Sequence, residues 1–107
     1  MITIDFTTKP EITPEYFVSS WGDKFLYDEN GKTHSYNALP AIIWSDGAKE
    51  WHHHGKYHSY NDLPDIVYPN GTKLWHKYGK LHRDNNLPAV IWADGSKEYW
   101  VNGMRIK

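Results

Sequence analysis

Seven histidines, six tryptophans and eight tyrosines occur among 107 residues, so the first question is whether imidazoles and rings are spaced to do chemistry. His34, His58 and His82 fall at a constant interval of 24 residues. In a sheet, positions two strands apart are separated by roughly 10 Å, whereas zinc holds nitrogen ligands at about 2.0–2.1 Å. That column cannot close on one metal. Its expected role is to fix a turn to the next hairpin through ring hydrogen bonds, with a ladder of ligand-binding positions as the alternative. His52-His53-His54 is internal to the chain. On a strand His52 and His54 share a face, and a third ligand would have to come from His76, one interval further on. No metal centre and no cofactor is expected.

The remaining polar residues offer little catalysis. Asp46 and Asp94 sit in turn sequences, where a carboxylate bonds the backbone two residues on. There is no glycine-rich phosphate loop, no distinctive pair of glutamates and no serine in a strained elbow. An enzyme is therefore not expected. The aromatic residues are the stronger candidates, because they recur in register: Trp44, Tyr68 and Trp92 form one column, and Trp51, Trp75 and Tyr99 another. Rings stacked on the next unit's rings would make core, worth about 0.5–1.5 kcal/mol per pair beyond area burial. Left accessible, they would mark an interaction surface. One column is expected to be core and the other functional. Lys49, Lys73 and Lys97 form a third column, whose stems can lie over indoles with the ammonium free.

These columns exist because the sequence is periodic. Residues 32–55, 56–79 and 80–103 align without a gap, sharing Lys, His, Asn, Leu, Pro, Gly, Lys and Gly at positions 1, 3, 6, 8, 9, 16, 18 and 24. A period of this length signifies units that stack on their neighbours, with atypical ends. In each, an apolar run (AIIW, DIVY, AVIW) meets a turn signal (SDG, PNG, ADG) and then a mixed aromatic run, which reads as a β-hairpin. The segment from Lys-x-His to Leu-Pro carries the chain onward, its proline placed where a strand begins. A two-residue turn would set Trp44 beside Lys49. A three-residue loop, favoured by Tyr68-Pro69-Asn70-Gly71 with proline at the second place of a type I turn and glycine in a following bulge, puts Trp44 with Ile42, Ala48 and Glu50. Ile43, Lys49 and Trp51 then occupy the other face.

The expectation is an all-β fold: one domain over residues 1–107, an antiparallel single-layer meander of stacked hairpin repeats. Residues 1–31 form an N-terminal strand and degenerate capping half repeat, and 104–107 begin a further strand. In the cap, Met1–Phe6 alternates as a strand does, and the period run backwards places Phe25-Leu26-Tyr27 under Lys49-Glu50-Trp51. Thr13-Pro14 could alternatively start a short helix through PEYFVSS. With 12 basic against 13 acidic side chains, no field exists to collect phosphates or anionic lipid. Nucleic acid and membrane are demoted as partners. The absence of cysteine excludes disulfides and thiolate metal sites. No leader-like start is evident, so a cytosolic setting is expected.

The residues Gly31-Lys32 with His34, Asp46-Gly47 with Trp51, Gly55-Lys56 with His58, Asn70-Gly71 with Trp75, Gly79-Lys80 with His82, and Asp94-Gly95 with Tyr99 resemble the MORN repeat and its variants in small bacterial and phage proteins. The units continue SYNALP, SYNDLP and RDNNLP where the MORN repeat has Gly-x-Gly. The resemblance implies a non-enzymatic binding module, antitoxin-like or phage-borne, that engages and inhibits or regulates a host protein. FLYDENGK over 25–32 is also similar to the aromatic hairpins of choline-binding repeats. The alternative function is a small-molecule binder that holds a nucleotide-like or glycan-like ligand on its rings. Oligomeric state is not legible.

Overall fold

A computed structural model describes residues 14–107. The strand expected over Met1–Phe6 lies outside the described residues. Among those described there is no helix, and PEYFVSS contains a strand in place of the helical alternative: β1 (Phe17–Val18) pairs with β2 (Lys24–Phe25). The expected all-β antiparallel meander is borne out. An eight-stranded sheet runs in the order β1, β2, β3 (Ile42–Ile43), β4 (Lys49–Glu50), β7 (Ile66–Val67), β8 (Lys73–Leu74), β11 (Val90–Ile91) and β12 (Lys97–Glu98).

Between these pairs the chain makes a second kind of hairpin that the sequence reading treated as connection. β5 (His52–His53) pairs with β6 (Lys56–Tyr57), β9 (His76–Lys77) with β10 (Lys80–Leu81), and β13 (Trp100–Val101) with β14 (Met104–Arg105). Their two-residue turns are His54-Gly55, Tyr78-Gly79 and Asn102-Gly103, with φ of 47° and 87°, 47° and 90°, and 50° and 82°. Both positions are left-handed, as a type I′ hairpin demands.

The main-sheet turns take the three-residue form. Trp44 N–H donates to the Ala48 carbonyl at 2.8 Å, and Gly47 N–H to the Trp44 carbonyl at 2.9 Å, with Gly47 at φ 97°. The same pair of bonds closes Tyr68–Thr72 and Trp92–Ser96. Each turn is locked by its first acid or amide: Asp46, Asn70 and Asp94 accept the N–H two residues on, each at 2.9 Å. The register follows. Ile42 faces Glu50, and Ile43 faces Lys49.

This register lays two rows across the sheet. One reads Phe17, Phe25, Ile42, Glu50, Ile66, Leu74, Val90, Glu98, and the other Val18, Lys24, Ile43, Lys49, Val67, Lys73, Ile91, Lys97. Ile42, Ile66 and Val90 of the first row are buried, together with Leu26, Ala41, Ala48, Trp75 and Ala89. The backward extension of the period is corrected by one residue. Phe25, not Leu26, occupies the place of Glu50, since each faces the first residue of the following strand. The cause is the turn closed by Asp28 and Lys32, which carries three residues where His54-Gly55 carries two.

Candidate functional site

The histidine column joins one unit to the next through the second hairpins. His34 Nδ1 accepts the backbone N–H of His54 at 2.9 Å, His58 Nδ1 that of Tyr78 at 3.2 Å, and His82 Nδ1 that of Asn102 at 3.0 Å. The glycine that follows in each turn donates to the preceding hairpin: Gly55 to Thr33 at 2.7 Å, Gly79 to Tyr57 at 3.0 Å, and Gly103 to Leu81 at 2.8 Å. Both turn N–H groups are thereby satisfied across the junction. Because Nδ1 accepts, the ring N–H of each is placed on Nε2. Burial pushes His34 and His58 below the usual imidazole range. His34 stacks on His54 at 4.1 Å and His58 on Tyr78 at 4.1 Å.

Half-buried glutamates hold the two tryptophans of the first aromatic column. Trp44 Nε1 donates to Glu50 at 2.7 Å, and the other oxygen of Glu50 lies 2.9 Å from His52 Nε2. In the last unit Trp92 and Trp100 donate to the two oxygens of Glu98 at 2.8 and 2.9 Å. The middle unit has Tyr68 and Leu74 at the places of Trp44 and Glu50, so that acid is missing. Asp65, standing where the other units have Ala41 and Ala89, supplies it: it is fully buried, accepts the His76 backbone N–H, and lies 2.7 Å from His76 Nδ1. Burial raises the Asp65 carboxyl above the usual range, against the pull of His76. Tyr68 and Trp92 are 41% and 43% exposed, while Trp44 is half-buried.

The second column differs from unit to unit. Trp51 and Trp75 each donate their indole N–H to the backbone of the loop ahead, to Ala38 at 3.0 Å and Asp62 at 2.9 Å. That loop turns on the shared asparagine, Asn37, Asn61 or Asn85, at φ 53°, 63° and 65°. Trp75 is buried because Arg83 lies over it, the guanidinium carbon 3.9 Å from the ring centroid. Arg83 is itself held by Asp62 at 2.9 and 3.1 Å and by the Pro88 carbonyl at 3.1 Å. At Trp51 the residue one period before Arg83 is Ser59, and the ring is left half-buried beside a groove of about 430 Å³ lined by Ala38, His58, Tyr60, Asn61 and Leu63. Tyr99, half-buried, completes the column beneath the Lys107 ammonium at 5.3 Å.

Lys49, Lys73 and Lys97 are exposed in one row, separated by Val67 and Ile91. The one-residue correction adds Lys24, also exposed and opposite Ile43, which sequence reasoning missed. Among the described residues none of the four forms an ion pair; the pairs found involve histidines, Arg83 and Arg105. Also missed were Arg83 and the exposed leucines Leu39, Leu63 and Leu87, whose invariance at position 8 was the available signal. No protein-family model, curated protein or solved structure matches this chain. No helix among the described residues is long and apolar enough to cross a membrane.

Proposed function

We propose that this chain is a non-enzymatic, MORN-like β-repeat interaction module that binds an acidic protein segment across the lysine row and thereby inhibits or regulates its target. The carrying observation is the set of four exposed lysines, Lys24, Lys49, Lys73 and Lys97, none in an ion pair among the described residues, interleaved in one cross-strand row with Ile43, Val67 and Ile91. Successive lysines are two strands apart, so roughly 10 Å. A partner in the polyproline II conformation advances about 3.1 Å per residue with three residues per turn, so carboxylates three residues apart point the same way and meet successive ammonium groups. With a chain net charge of −1, the row is a local field and favours a local acidic strip over a polyanion. Phage origin and a host target rest on the resemblance of the repeat.

The experiment is a pull-down from bacterial lysate with the wild type and with Lys49→Glu/Lys73→Glu, analysed at low and high salt. A specific acidic protein should be retained by the wild type and lost both in the variant and in high salt, with equal melting temperatures for the two chains. Equal retention by both chains would remove the lysine row from the reading.

The uncovered face of Trp51 supports a second reading, a small planar ligand seated on the indole where Ser59 replaces the covering arginine. Quenching of tryptophan fluorescence by a nucleotide or glycan panel, absent in Trp51→Leu, would establish it. No saturable quenching would end it.

A further inference from the structure

At one junction only, three imidazoles converge. The ring centroids of His34, His53 and His54 are 5.2, 4.1 and 4.6 Å apart, and one nitrogen from each lies within 4.8 Å of the others. The other junctions show that the clamp does not require this. Tyr78 and Asn102 stand at the place of His54 and present the same N–H to the preceding histidine, while Lys77 and Val101 stand at the place of His53. Two of the three histidines are therefore surplus to the architecture.

The surroundings prepare two of them as ligands. His54 Nδ1 lies 2.6 Å from a carboxylate oxygen of Asp28, whose side chain is 1% exposed, while the His54 side chain is 46% exposed. A carboxylate accepts, so Nδ1 carries the proton and the lone pair of Nε2 is free; a carboxylate behind a ligating histidine fixes its tautomer and raises its basicity. His53 Nδ1 lies 2.9 Å from the Tyr60 hydroxyl, which can accept its proton in the same way. His34 is the third, and it now spends Nδ1 on the His54 N–H. It joins an ion by exchanging that bond for the metal.

We propose that His34, His53 and His54, backed by Asp28, bind one divalent transition-metal ion of the class that imidazole suits: zinc, nickel or copper. Three neutral nitrogens leave a fourth coordination position open to water or to a partner's side chain. The site is independent of the lysine row, and its test does not involve a protein partner.

The purified chain is titrated with zinc or nickel by calorimetry, and with cobalt by visible absorption. One ion per chain is expected. His54→Tyr and His53→Lys, the residues this chain itself carries at 78 and 77, should each abolish binding in a chain that still unfolds cooperatively; His53→Lys keeps the metal-free melting temperature, and His54→Tyr lowers it by the lost Asp28 bond. Asp28→Asn, which keeps an oxygen for the turn but loses the charge behind His54, should weaken binding roughly 10–100-fold. Binding unchanged in His53→Lys and His54→Tyr, or no saturable binding by the wild type up to about 1 mM ion, would overturn the site.

Discussion

A single acid per unit explains the most variable residues of the repeat. Glu50 and Glu98 each collect a Trp N–H and a second donor; where Leu74 removes that oxygen, Asp65 appears in the place of an alanine and takes over the histidine. Glu50 and Glu98 accept these hydrogen bonds more strongly when ionised, which lowers their folded pKa, whereas burial raises that of Asp65. Glu98 is held below the usual range by the Trp100 and then the Trp92 N–H, and Asp84 and Asp94 are lowered by His82 and Ser96. A depressed carboxyl contributes stability that is present above its unfolded pKa and lost as pH falls through its folded value. Wild type should therefore lose melting temperature steadily below about pH 4.5. In thermal melts, Glu98→Gln should start lower at pH 7 and converge on wild type as the solution is acidified. Parallel curves would show that the Glu98 bonds carry no pH-dependent stability.

Two hairpins alternate along the chain, and they differ in how plainly the sequence announces them. The three-residue turn was legible because Pro69 and Gly71 favour it over the two-residue alternative, and with it came the pairing of Trp44 with Glu50 and the separation of lysines from core. The I′ hairpins were not, since histidine and tyrosine at 54 and 78 are unusual in a left-handed turn; Asn102-Gly103 alone carries the expected signature. Lys24 was missed for a related reason: the longer turn at Asp28 shifts the cap out of phase. The relocation of the buried acid was visible as two coupled exchanges, Glu to Leu at 74 and Ala to Asp at 65, which only the packed structure connects. It makes a prediction for the element. Asp65→Ala leaves the His76 donors unanswered and should cost about 1–3 kcal/mol, and Leu74→Glu in the same chain should recover part of that by rebuilding the network of the outer units. Chemical denaturation of the two single variants and the double gives the coupling energy. Additive losses would mean that Leu74 and Asp65 are unrelated.

At the scale of the molecule, the units are joined twice, by main-sheet pairing and by the histidine and glycine bonds of the second hairpins. Among the described residues that double seam leaves one row of the sheet with half-buried Ile43, Val67 and Ile91 between exposed lysines. The first lysine of each unit provides an internal control, because Lys32, Lys56 and Lys80 are also exposed but lie outside this row. Lysine acylation footprinting, on the free chain and on the chain bound to the partner it retains, separates the two sets in one measurement. Protection of Lys24, Lys49, Lys73 and Lys97 with Lys32, Lys56 and Lys80 still reactive is the predicted result. Protection of the second set instead, or of neither, would contradict the assignment of the lysine row as the binding face.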